Sequence, residues 1–559
     1  MRPFSPSALH RSRRRLGIGI GAIAALAACS TGTGLRSVTN APPAAANTDI
    51  QLDGRFDDWA GVPVWSQAAQ SAEPLQAVWA TDDSQWWYLS FSVRDSVSYS
   101  AMPGTLHLLI DADDNAATGG TVFDSARGLT GVDLSLDLSR ADKSQANGVG
   151  AGTALRTVEA TGVDATGVDA TGVDAYRLGA NRSAYELGVV ALPTWSATRF
   201  ELRIARRGAL DGFARLGRAV RARLVFESTS GTVTALPAAR YLFNTSPDTR
   251  ANTNLVSAIP SKASGSVRVA QWNVSEGSFK SPANHAKLLA AVTPDVILLD
   301  EAYAETSDST LADFFARPEL AALGTWRFVY SRSGGRQHTI VATRDRDIQQ
   351  ASSMVRVEYP AGVLDSVRAT APSASHHLFD IEAQAQLSTT GAWIAIDGVE
   401  TLFVPLDLQS GGFFGNAQDK LRIVQSRAIR AHVQRELASR ATRGALVIAG
   451  DFNAIGSYES IHTLQQGLDV DGSDLTLSDS WRLGERTLVT WTDPKVARFL
   501  PGRLDLTLYA DAVFERTGGF TFTSLDLTPA FAATLGLTRE TSASTSDHLI
   551  VVTDLRRRR

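Results

Sequence analysis

In the C-terminal half of the chain, polar residues recur where short apolar runs stop. Asn273 closes "VAQWN", Glu301 closes "DVILLDE", Asp407 lies in "FVPLDLQS", Asp451 and Asn453 close "LVIAGDFN", Asp505 sits in "GRLDLTLY", and Asp547 with His548 opens "SDHLIVV". Carboxylates and amides are hard oxygen ligands of the kind Mg²⁺ takes. A histidine titrates near neutrality, where it can move a proton. Such a set suits metal-assisted attack of water on an ester. Each member alone has a plainer reading: "GDFN" as a turn, Glu301 as a surface charge after a strand, Asp505 as a turn residue, His548 as a satisfied histidine.

These residues need a scaffold that brings strand ends together. "SVRVAQWNV", "PDVILLDE", "GTWRFVYS", "HTIVATR", "TLFVPLDL" and "ALVIAGDFN" are strand-length apolar runs, several apolar throughout, as strands covered on both faces must be. "AQDKLRIVQSRAIRAHVQRELASR" between two of them has helical period. Strands with helices between them predict an α/β domain over 266–556.

The ordered set of Asn, Glu, Asp-x-Asn, Asp and Ser-Asp-His resembles the endonuclease/exonuclease/phosphatase superfamily. The resemblance implies two packed β-sheets flanked by helices, a four-layer α/β sandwich, and a Mg²⁺- or Mn²⁺-dependent phosphoric ester hydrolase. It implies Glu301 as the main metal ligand, with Asn273 and Asp547 helping to hold metal or phosphate. His548 becomes the general base oriented by Asp505, Asp451 the group that positions or deprotonates the attacking water, and Asn453 a donor to the scissile phosphate. Many members carry a histidine where this chain has Asp407. A carboxylate there either has a raised pKa, so that it can serve the leaving group, or acts as another metal ligand. Arg336 and His338 in "GGRQHTIVATR" are candidates for phosphate contact. Nucleic acid is the first substrate expected, followed by phospholipid or sugar phosphate.

The formal charge of −4 gives no basic footprint for tight nucleic-acid binding, which leaves brief catalytic contact open. The N-terminus carries an address. "RSRRRLGIGIGAIAALAACS" has a basic start and an apolar stretch too short to span a bilayer. Leu26-Ala27-Ala28-Cys29 resembles the bacterial lipobox, which makes 1–29 a lipoprotein signal peptide with Cys29 as the lipidated residue. Ser30 in place of Asp favours the outer membrane or cell surface, with the lipid as the only membrane attachment. Cys29 is the only cysteine, so the exported domains hold by core packing without disulfides.

Residues 30–47 read as a tether and 244–265 as a linker. Between them, 48–243 alternates as an antiparallel β-sandwich does, most clearly in "QWWYLSFSVRD", where Trp87, Leu89, Phe91 and Val93 share a face. "ATGVD" occurs three times from Ala160 to Asp174 and reads as a loop lengthened by duplication. "IQLDGRFDDWAGVP" and the strand order after it resemble family-nine carbohydrate-binding modules, which implies a glycan partner. Six of the eleven Trp residues lie here and divide between core and sugar platform. "DADDNAATG" spaces Asp111, Asp113 and Asn115 as a structural Ca²⁺ loop does, although no bidentate Glu follows. A second class of function also fits this order: a surface glycan-binding lipoprotein whose phosphoesterase-like domain has lost catalysis at Asp407.

Overall fold

The structure, a computed structural model, describes residues 50–559 apart from 125, 141–151, 161–175, 211–212, 249–253, 276–280, 304–305, 334–336, 374, 376–386, 442–443 and 496–497. The signal segment with Cys29, the tether, most of the "ATGVD" repeats and Arg336 lie outside the described residues.

The N-terminal region is built from antiparallel sheets. One runs Val64–Gln67, Leu75–Asp82, Trp86–Val97, Ala197–Ala205, Val190–Leu192. The other is centred on Ala219–Ser228, Gly104–Asp111 and Leu134–Ser139. Trp87, Leu89, Phe91 and Val93 face one core with Leu106, Leu108, Ile110 and Leu136, as the period of two predicts. The opposite face of the same strand is buried too. Trp86 and Tyr88 pack with Ile50, Leu52, Leu488 and Val489, the last two from the C-terminal half. Trp59, Trp86 and Trp87 are buried, while Arg199 lies 4.1 Å over the Trp79 ring and Arg203 lies 3.8 Å over Trp86. Asp111, Asp113 and Asp133 bring oxygens within 4.8 Å of one another, a group able to hold a cation. Asn115 instead turns its side-chain oxygen to the Ala117 N–H at 3.1 Å.

The C-terminal half stacks two mixed sheets. The first contains Gln337–Arg344, Val296–Tyr303, Val267–Asn273, Ile550–Arg557 and Phe514–Phe522, in that order. The second contains Ala392–Ile396, Val399–Asp407, Ala445–Asp451 and Asp505–Tyr509. Val267, Val269 and Leu298 from one sheet meet Phe403, Val447 and Leu506 from the other. Helix Pro282–Val292 covers the outside of the first sheet, and Ala417–Ala438 that of the second, through Ile429 and Val433. These make the four layers expected. Arg268 is enclosed beneath the first sheet, donating Nε to Asp554 Oδ1 and Nη2 to Asp554 Oδ2, both at 2.7 Å. It also donates to the carbonyls of Val292 (3.1 Å) and Pro260 (2.9 Å).

Candidate active site

Strand register lines up the acidic residues. Parallel pairing of Val399–Asp407 with Ala445–Asp451 sets Asp407 beside Asp451, and antiparallel pairing of Ala445–Asp451 with Asp505–Tyr509 sets Asp451 beside Asp505. In the facing sheet, Asn273 lies beside Asp300. Simple alternation would then send Glu301 to the opposite face. Instead, Glu301 takes φ 54°, and the ladder with Gln337–Arg344 shifts register between Leu299 and Ala302. This irregularity re-aims the side chain, a use to which bulges beside functional sites are often put. The close approach of the two parallel strands requires glycine at 450, where a Cβ would lie 1.9 Å from the Leu406 carbonyl oxygen.

Oxygens of Glu301, Asp407 and Asp451 lie within 4.8 Å of one another. Asp451 accepts from Asn273 Nδ2 (3.2 Å) and from the Asn453 backbone N–H (2.7 Å) and Nδ2 (3.1 Å). Asn453 Nδ2 also donates to the Leu408 carbonyl at 2.8 Å. Beside this group, His548 Nδ1–H donates to Asp505 Oδ2 at 2.8 Å, and its Nε2 lies 3.8 Å from Asp451 Oδ2. The His548 backbone is fixed as well: its N–H donates to Ser546 Oγ (3.0 Å), and Trp272 Nε1 donates to its carbonyl (3.0 Å).

The electrostatics follow from crowding. Burial, then the charges of Glu301, Asp451 and Asp300, push the Asp407 carboxyl well above the usual carboxylate range. Burial, then Asp505 and Asp451, do the same to Asp300. Burial opposes charging of His548, but Asp505 and Asp451 outweigh it, and its pKa is raised well above the ordinary value. Like charges so packed need a cation to remain ionised together, and a divalent ion inverts the local preference for protons. Glu301, Asp407 and Asp451 are a hard oxygen set that fits such an ion.

Of the residues singled out in the sequence, Asn273, Glu301, Asp407, Asp451, Asn453, Asp505 and His548 come together. Asp547 stands outside the carboxylate trio, its Oδ2 accepting from Trp491 Nε1 at 2.9 Å. His338 is half-buried and donates Nδ1–H to the Ser331 carbonyl at 3.0 Å. Sequence reading missed Gln271 and Asp300. Gln271 Nε2 bridges Asp300 Oδ1 (3.0 Å) and Asp505 Oδ1 (3.1 Å), tying the two sheets, and the Asp300 Oδ2 is buried without a hydrogen-bond partner among the described residues. Gln271 could have been found by its spacing: it lies two residues before Asn273, on the face whose other residues, Val267 and Val269, are apolar.

The site opens into a cleft of about 1190 Å³. Glu301, Asp451, Asn453 and His548 line it from the C-terminal half, and Tyr99, Ser100, Ala101, Arg140 and Thr194 from the sandwich.

Residues 270–548 match the model of the Endonuclease/Exonuclease/phosphatase family. No curated protein sequence matches the chain. Among solved structures, a humanized TDP2 of D. rerio is 15% identical, aligned over 52% of this chain and 100% of its own, with a TM-score of 0.32. The catalytic domain of human Nocturnin is 14% identical over 53% of this chain and 97% of its own, TM-score 0.33. An AP endonuclease from Archaeoglobus fulgidus is 12% identical over 51% and 98%, TM-score 0.30. The matched segment begins on the strand that carries Asn273 and ends at His548, just before strand Ile550–Arg557, and residues 270–548 of this chain are a domain of the Endonuclease/Exonuclease/phosphatase family of phosphoester hydrolases.

Proposed function

We propose that the chain is an exported, lipid-anchored phosphodiesterase that depends on Mg²⁺ or Mn²⁺ held by Glu301, Asp407 and Asp451. The observation that carries this reading is the approach of those three carboxylates within 4.8 Å, beside the Asp505–His548 pair. When bound, the cation supplies Lewis-acid polarisation of a phosphoryl oxygen. Asp505 holds the imidazole through Nδ1, so Nε2 is the atom that handles the proton. His548 Nε2 lies 3.8 Å from Asp451 Oδ2, a separation that lets the two groups share one attacking water. Asn273 and Asn453 act as positioning residues that orient Asp451 through their amides. Phosphodiester bonds of nucleic acid are the first substrate of this reading, and a phospholipid or sugar phosphate the next.

Bis-p-nitrophenyl phosphate tests the chemistry. Turnover is expected with Mg²⁺ or Mn²⁺, at least 10²-fold loss with EDTA, and recovery on adding the metal back. Turnover indifferent to EDTA would overturn the metal assignment.

Anchoring rests on the basic and apolar N-terminus and on Leu26-Ala27-Ala28-Cys29. Among the described residues no helix is long and apolar enough to cross a membrane. Cys29→Ser is expected to move the protein from the membrane pellet to the soluble fraction, and undiminished membrane retention would refute lipidation.

A further inference from the structure

The sandwich does more than stand beside the catalytic half. Its Ser98 Oγ donates to the Ile455 carbonyl at 2.9 Å, two residues past Asn453, and accepts from the Phe414 N–H at 3.3 Å. Its Thr194 Oγ1 accepts from the Arg503 N–H at 2.8 Å, two residues before Asp505, and the Ser196 N–H donates to the Gly456 carbonyl at 2.7 Å. Leu500, from the loop that leads to Asp505, is 4% exposed inside the sandwich core. The loop that carries Asn453 and the loop that leads into Asp505 are therefore pinned by the sandwich, and the sandwich wall of the cleft has a fixed position relative to them.

Arg140 stands on that wall, just past strand Leu134–Ser139. It is exposed, its guanidinium lies 4.5 Å over the Phe413 ring, and it meets no carboxylate among the described residues. An aromatic face holds the guanidinium plane while leaving its in-plane N–H fork free for an anion. Apart from His548 at the catalytic end, the only other described cationic side chain lining the cleft is Lys420, whose Nζ donates to Thr370 Oγ1 at 3.3 Å. A protein that tracks along a nucleic acid through about six to ten phosphate contacts needs a run of Lys and Arg to make them. Among the described residues the cleft presents one guanidinium and one lysine besides His548, which suits a short substrate.

We propose that Arg140 is a substrate-contacting residue of the sandwich, binding a second anionic group of a short phosphodiester whose scissile phosphate sits at the carboxylate trio. The inference rests on the phosphodiesterase reading above, and the two are separable by experiment. The full chain is assayed with Mg²⁺ on a thymidine dinucleotide with a 5′-terminal phosphate, on the same dinucleotide without it, on plasmid DNA and on bis-p-nitrophenyl phosphate. The wild type is expected to favour the phosphorylated dinucleotide through KM. Arg140→Ala is expected to shrink that preference by about ten-fold or more, and Arg140→Lys to restore part of it. A purely structural role would lower both dinucleotide activities together and leave their ratio unchanged, which would overturn the proposal. Plasmid cleaved with a kcat/KM above that of the phosphorylated dinucleotide would overturn the short-substrate limit. No turnover of any substrate would defeat the phosphodiesterase reading itself. Turnover of bis-p-nitrophenyl phosphate without a dinucleotide preference defeats only the role of Arg140.

Discussion

His548→Ala is expected to lower kcat on bis-p-nitrophenyl phosphate by about 10²–10⁴-fold at saturating Mg²⁺, the range that a positioned proton-transfer group supplies. The expectation rests on geometry. Nδ1 is committed to Asp505 at 2.8 Å, which leaves Nε2, 3.8 Å from Asp451, as the free proton-transfer atom. His548 is 8% exposed, so bulk water does not replace it freely. Asp505→Asn provides the companion result: it keeps the volume but removes the charge that stabilises the imidazolium and fixes its tautomer, and kcat should fall at least ten-fold with KM little changed. Metal affinity, measured separately by calorimetry, should survive both changes, since neither residue is in the carboxylate trio. A kcat within three-fold of wild type for His548→Ala would remove the histidine from the chemistry.

Arg268→Ala is expected to destabilise the fold by about 3–5 kcal/mol, because it strands a buried carboxylate. Arg268 and Asp554 side chains are 2% and 4% exposed, and the pair is bidentate. Losing the guanidinium also frees the carbonyls of Val292 and Pro260. The contrast is Arg556–Glu515, with an equally short contact of 2.7 Å but side chains 44% and 40% exposed. There solvent screening leaves about 0–1 kcal/mol, so Arg556→Ala should change stability little. Urea unfolding of both variants checks the pair, and Arg268→Ala/Asp554→Ala should cost less than the sum of the single changes. Equal losses for the buried and exposed pairs would contradict the assignment.

The site was legible where a polar residue bounds an apolar run, closing it at Asn273, Asp451 and Asn453 and opening it at Asp505 and His548. It was illegible where the informative event is geometric. Asp300 and Glu301 are adjacent, and alternation allows only one of them to face the site; the positive φ at Glu301 that brings in both leaves no mark in composition. Asp407 was legible as a departure, and its company with Glu301 and Asp451 favours the ligand reading over the leaving-group one. In the sandwich, Trp87, Leu89 and Phe91 declared their core by periodicity. The burial of Trp86 and Tyr88 did not declare itself, because their cover comes from Leu488 and Val489, some four hundred residues along the chain.

Leu500 has a consequence for how the protein is made. The sandwich strands are complete by about residue 242, yet one of the side chains in their core arrives roughly 250 residues later. At a synthesis rate of about 5–20 residues per second, the nascent sandwich waits some tens of seconds with an incomplete core and an uncovered Trp86–Tyr88 face. Such a half-finished surface is what chaperones bind. During biogenesis the earlier half depends on the later one, so a stalled or truncated chain exposes an aggregation-prone sandwich.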